Sequence, residues 1–232
     1  MVINDKDLGE IRLVENKRAR RIIVRRKGDY LQLTYPPSVT MSYIEKTISE
    51  MKPRLRSLLD RKPENIVFSP QSDFNTFSFR LQIVTSVSAS GFYMNLKDGI
   101  LSISCPADTI FEDALVQTLI RNSIEKVLRY EANRLFPAKV KFFAEKYGFN
   151  YTGVKINKSR TRWGSCSSRK SINLSYYCML LPEYLIDFVI LHELCHTVEM
   201  NHGDKFWQLL DNISEGRSKE LTRELRSFKT VL

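Results

Sequence analysis

Three histidines are all that this 232-residue sequence contains, and they fall close together at His192, His196 and His202. The first two frame the run His192-Glu193-Leu194-Cys195-His196, an H-E-x-x-H pattern. On a helix, residues four apart stand one turn above the other on the same face, so both imidazoles can be aimed at one metal ion. Glu193 lies about 100° round the helix from His192, close enough to reach a water on that ion without becoming a ligand, which is where a general base belongs. Imidazole suits zinc at neutral pH, and three protein ligands with an open fourth position mark a catalytic zinc site. Two histidines and a glutamate on a helix that also carries Leu185, Ile186, Phe188, Val189, Leu191, Leu194 and Val198 would be costly to bury without partners. A metal supplies them.

The third ligand is less direct. His202 follows His192 by the offset of the third histidine in the metzincin pattern H-E-x-x-H-x-x-G-x-x-H, with Glu199 in the place of the glycine. Asn201 tolerates left-handed backbone, so the helix is expected to end near Met200 and the chain to swing His202 back. Glu199, Glu215 and Glu220 are the alternative third ligands.

Other elements must hold this helix. Residues 108–148 are helical in pattern, with Phe111, Leu115, Leu119, Ile124, Leu128 and Leu135 as the apolar stripe, a break at Pro137 and a second helix from Val140. Two short strands, around 162–166 and 172–175, flank a polar turn and form a hairpin just before the metal helix. A strand edge there could hold an extended substrate through main-chain hydrogen bonds. Arg162 and Asn173 are the substrate-contact candidates on this hairpin, and Trp163 reads as a core anchor. A last helix, about 218–228, alternates acidic and basic residues as a solvated cover.

The first sixty residues alternate as short strands up to Pro36-Pro37, followed by a helix with a Ser42-x-x-Glu45 capping box, running to about Arg61 and bent or interrupted at Pro53. Strand patterns return over 77–104, with a hairpin across Lys97-Asp98-Gly99. These two β–α passages suggest a weak repeat. The division expected is a β-rich region with a helical insert over 1–107 and a helical region over 108–232.

The formal charge is +10, and residues 1–62 carry 15 basic against 8 acidic side chains. Residues 17–27 (KRARRIIVRRK), from Lys17 through Arg21 to Lys27, hold seven bases and no acid. Such a run can attract a nucleic acid or nucleotide by neutralising phosphates, and a solvated strand pair is the plainer alternative. No stretch approaches 18 apolar residues and the N-terminus is polar, so neither a membrane span nor a signal peptide is expected and the cytoplasm is the expected location. Cys105, Cys166, Cys178 and Cys195 form no C-x-x-C pair and read as reduced thiols.

Together, Arg162-Trp-Gly-Ser-Cys-Ser167, Ile172-Asn-Leu174, His192-Glu-Leu-Cys-His196 and His202-x-x-x-Phe206-Trp207 resemble the YgjP-like metallopeptidase or metal-dependent hydrolase family, whose core is similar to SprT-type zinc peptidases. The resemblance implies an α+β fold with a zincin-like catalytic domain, one zinc ion held by His192, His196 and His202, Glu193 as general base and a peptide or protein substrate. Family members commonly show serine where this chain has Gly203. SprT-like relatives act on proteins associated with DNA, and some YgjP-like members carry a nucleoside triphosphate pyrophosphatase assignment. A nucleotide hydrolase or a nucleic-acid-associated protease using the same centre is therefore the alternative, although no Gly-rich phosphate loop is present.

Overall fold

The computed structural model describes residues 1–28, 30–60, 66–230 and 232. It is α+β: among the described residues, ten strands form three small mixed sheets and five α-helices accompany them. The strands are β1 (Val2–Asp5), β2 (Gly9–Glu15), β3 (Ile23–Lys27), β4 (Tyr30–Tyr35), β5 (Arg80–Ser86), β6 (Tyr93–Lys97), β7 (Ile100–Pro106), β8 (Gly153–Asn157), β9 (Gly164–Cys166) and β10 (Ser171–Ser175). The helices are α1 (Met41–Asp60), α2 (Ala114–Tyr147), α3 (Glu183–Cys195), α4 (Asp204–Ile213) and α5 (Ser218–Ser227), with a 3-10 turn at Tyr176–Leu180.

One block recurs three times. A strand, a hairpin and then a helix follow one another, and in each block the first strand pairs parallel with the third while the second pairs antiparallel with it: β2·β4·β3, β5·β7·β6 and β8·β10·β9. Parallel partners such as Ile11↔Leu31, Leu81↔Leu101 and Val154↔Ile172 lie 20, 20 and 18 residues apart. The sequence suggests only two such passages because β8 carries just two apolar residues, Val154 and Ile156, both half-buried.

The chain forms two compact units, Met1–Glu64 and Asn65–Leu232. In the first, period-two alternation puts Ile11, Leu13, Leu31 and Leu33 on one sheet face, where they pack with Ile44, Ile48 and Leu55 of α1. Thr40 caps α1, its Oγ1 accepting from the Tyr43 backbone N–H at 3.4 Å, whereas Ser42 lies inside the first turn. The helix continues through Pro53, and the end expected near Arg61 lies outside the described residues.

The division expected at 107/108 falls inside the second unit. Leu81, Ile83, Leu101 and Ile103 of β5 and β7 share one core with α2 and α3, so no boundary separates them. The β6–β7 hairpin turns at Asp98 and Gly99, both with positive φ, as the Lys-Asp-Gly signal indicates.

α2 is one helix of 34 residues, not two: it runs through Pro137. Its buried residues Ile120, Ile124, Leu128, Ala132, Phe136, Val140 and Ala144 advance four at a time across the proline. On a 3.6-residue helix that step turns the buried face by about 40° each time, so α2 shows successive faces to β7, β8, the 3-10 turn and α3. The expected stripe is displaced at its start, where Leu115 and Leu119 are exposed and Ile120 is buried. Asp113 caps α2 by accepting from the N–H groups of Leu115 and Val116. Gly148 closes it in the left-handed region at φ 74°, which glycine adopts without Cβ strain.

Candidate metal centre

α3 is apolar nearly all round, with Leu185, Ile186, Phe188, Val189, Ile190, Leu191, Leu194 and Cys195 buried. A helix with no polar stripe belongs in a core, and α3 packs against α2, α4, α5, β9 and β10. It ends at Cys195 with His196 as the capping residue, earlier than the Met200 expected from the sequence, and Asn201 does not adopt positive φ. A turn over 196–198, an irregular stretch to Gly203 and the start of α4 return the chain instead. The Trp207 indole N–H donates to the His202 carbonyl at 3.1 Å and holds it there.

This turn brings the three histidines together. His192 Nε2 lies 3.2 Å from His196 Nε2 and 3.0 Å from His202 Nε2, and one ligand atom from each falls within 4.8 Å of the others. Three nitrogens around a tetrahedral zinc at its usual bond length are about 3.3 Å apart, so this donor set suits that ion. The phenyl ring of Phe206 forms a floor beneath all three imidazoles, at centroid distances of 4.9, 4.5 and 4.7 Å from His192, His196 and His202. His196 Nδ1–H donates to the Glu199 carbonyl at 3.1 Å, which leaves Nε2 free to ligate. Glu199 thus meets the site through its backbone, and Glu220 is paired with Arg217. Among the described residues, the three-histidine cluster includes no carboxylate or thiol.

The electrostatics favour a cation acceptor. Burial, reinforced by His196 and His202, lowers the His192 pKa to about 3, and burial lowers that of His196 as well. Uncharged imidazoles are what a metal needs. Glu193 is 5 % exposed, and its Oε2 has no hydrogen-bond partner. Burial raises its pKa to about 8 against the opposing charge of Arg162. A buried carboxylate oxygen without a partner is costly, and a water on a nearby cation would satisfy it.

β9 supplies the opposite wall. A Cβ on Gly164 would sit 2.6 Å from Glu193 Oε1, 2.7 Å from Cγ and 2.9 Å from Cδ, so only glycine lets the strand lie against the carboxylate. A cavity of about 190 Å³ opens here between Arg162, Trp163 and Gly164 on one side and His192 and Glu193 on the other, with Thr222 and Leu225 of α5 also lining it. Arg162 is therefore at the site. Asn173 is not: it pairs with Ser165 on the sheet face opposite Ile172 and Leu174, and lines a separate cavity with Thr152, Lys155 and Arg169. Cys166, on β9, has its thiol pKa raised by burial and then by Glu193, which suits a structural thiol.

The loop that presents Arg162 is strongly tied down. Glu125 of α2 accepts from Lys158, Arg160, Tyr176 and Tyr177 at 2.6–3.1 Å. Burial alone would raise its pKa, but these four donors prevail and bring it down to about 2. Ser175 Oγ donates to the Ser159 carbonyl, and the Ser175 N–H and Cys178 thiol both reach the Trp163 carbonyl. No sequence pattern pairs these partners, whereas Gly164, a glycine inside a strand beside the motif, is itself the sequence signal of a close approach.

The family described as YgjP-like, metallopeptidase domain, matches residues 18–228. The chain belongs to the YgjP-like metallopeptidases. The match spans both compact units of this YgjP-like chain. No curated protein matches it. Two solved structures are similar to part of it. The metallopeptidase zymogen of Pyrococcus abyssi abylysin is 19% identical, with 39% of this chain and 90% of that chain covered and a TM-score of 0.36. The zymogen of Methanocaldococcus jannaschii jannalysin is 26% identical over 39% of this chain and 92% of that chain, with a TM-score of 0.35. Among the described residues, no helix is long and apolar enough to cross a membrane.

Proposed function

We propose that this YgjP-like chain is a zinc-dependent peptidase, with His192, His196 and His202 holding the ion and Glu193 moving the proton. The observation that carries this is the partnerless Glu193 Oε2, on a residue that lines one cavity with His192, together with the convergence of the three imidazoles. A zinc ion there supplies Lewis acidity, which acidifies water and polarises a carbonyl. Glu193 then accepts the proton of the attacking water and passes it to the leaving amine. A cation held by the imidazoles would favour the ionised form of Glu193, the one that accepts the proton. Phe206 and the Glu199 carbonyl keep the imidazoles in place. β9, at the edge of its sheet, offers main-chain groups to an extended substrate, and Arg162 faces a carbonyl or carboxylate oxygen of that substrate.

The test compares Glu193→Gln with His196→Ala for zinc content and for cleavage of an unfolded protein mixture, with nucleoside triphosphates assayed in parallel. Glu193→Gln should keep about one zinc per chain and lose turnover by at least 10²-fold, as removal of a general base does; His196→Ala should lose both. Equal loss of zinc in the two variants would overturn the roles, and Glu193-dependent triphosphate hydrolysis without proteolysis would replace peptide by nucleotide as substrate.

A further inference from the structure

The catalytic groove has a counterpart in the first unit. In the third block, Asn157-Lys158 leads into the loop before β9, and the Asn157 side chain accepts from the N–H two residues on, at Ser159. In the first block, Asn16-Lys17 leads into the loop before β3, and the Asn16 side chain accepts from the N–H of Arg18 in the same way. Five residues after each asparagine stands an arginine, Arg162 or Arg21, and next a large apolar residue, Trp163 or Ile22. Both arginines line a cavity between the edge strand of their sheet and the helix that closes their block.

The two grooves differ in what the helix provides. Where α3 offers His192 and Glu193, α1 offers Met51, Arg54 and Leu58, so the first groove, of about 560 Å³, cannot bind a metal in that way. It retains an apolar floor, exposed arginines and the edge of β3, which pairs with β4 on one side only among the described residues. Among the described residues, no acidic side chain lines it, nor the adjoining cavity that holds Arg20, Arg21 and Tyr43.

We infer that this groove is a non-catalytic peptide site, which takes an extended segment bearing acidic and apolar residues at every second position, so that both kinds face α1, as an added strand along β3. The strand edge supplies main-chain hydrogen bonds, the Met51 and Leu58 side the apolar pocket, and Arg21 and Arg54 the charge partners. A polynucleotide would use the arginines and leave the strand edge idle, so the peptide is the occupant that uses everything present. The inference rests on the peptidase reading only for its purpose, which is to retain acidic stretches of a protein substrate; the binding itself is independent of cleavage.

The test uses the full zinc-loaded chain carrying Glu193→Gln. A labelled peptide with Glu and Leu in turn at every second position and Thr between them should bind with micromolar affinity at low salt and slow hydrogen exchange in residues 23–27. Replacing Arg21 and Arg54 with Glu, or more mildly with Gln, should weaken binding at least tenfold and abolish the protection at β3. Methylating alternate backbone nitrogens of the peptide should do the same. Equal binding of the methylated peptide would overturn strand addition. Tighter binding of a single-stranded oligonucleotide with the same arginine dependence would make the groove a polyanion site instead. Failure of wild-type proteolysis with β3 protection intact would refute the peptidase reading and leave this site standing.

Discussion

Replacing Gly164 with alanine should cut turnover by about 10²-fold while leaving the metal site loaded. The new Cβ would lie 2.6 to 2.9 Å from three atoms of Glu193. Ordinary carbon contacts lie at about 3.5–4.0 Å, so the carboxylate or the strand must yield by about 1 Å. Glu193 is too buried to swing into solvent, and β9 is held by its pairing with β10. Displacing a reacting group by about 1 Å costs roughly 10²-fold in rate, equivalent to about 2.7 kcal/mol of barrier. The assay is kcat and KM on a quenched peptide, with zinc stoichiometry and circular dichroism on the same preparations. The expected result is a fall of about 10²-fold in kcat with unchanged zinc and fold. Activity within about threefold of wild type would refute the reasoning, as would a loss tracking zinc loss alone, since Gly164 would then maintain the metal and not the base.

Two further outcomes follow from the same geometry. Because the Glu125 carboxyl is lowered from 4.5 to about 2, its stabilisation is present above pH 4.5 and disappears as pH falls toward 2. Allowing for the exposure of Lys158 and Arg160, it amounts to about 1–2 kcal/mol, so urea midpoints of wild type and Glu125→Gln should differ at pH 7 and converge near pH 2.5. Gly203 precedes α4 in extended backbone with no side-chain cap, and a Cβ there meets nothing within 4 Å. Gly203→Ser should therefore stabilise by about 0.5–1 kcal/mol through a cap and a less flexible unfolded chain, seen as a melting temperature about 2 °C higher.

The histidines were legible because their chemistry is rare in this chain and their spacing is local. The hairpins were legible for the same reason: Lys97-Asp98-Gly99 and the polar turn before Ser171 act within a few residues. What escaped depends on partners distant in sequence. The stripe on α2 follows the order of its neighbours and not a fixed helical face, which displaced the reading at Leu115 and Leu119 and made Pro137 look like an end. Thr40 and Ser42 fit the local capping pattern equally well, and only the start of α1 at Met41 decides for Thr40. The Glu125 network joins residues 33 to 52 positions apart, and no periodicity announces such a pairing.

The triple recurrence of strand, hairpin and helix also bears on how the chain acquires its shape. Parallel pairing ordinarily waits for a long crossover, which makes it slow. Here the strands pair in parallel over separations of only 18 to 20 residues, with the intervening strand completing the sheet in place of a crossover helix. Loop closure at that length is inexpensive in entropy, so each sheet can nucleate from its own stretch of chain. α2 in contrast joins two of these sheets, so seating it, and with it the α3 helix that carries His192 and His196, requires contacts between separate stretches of chain.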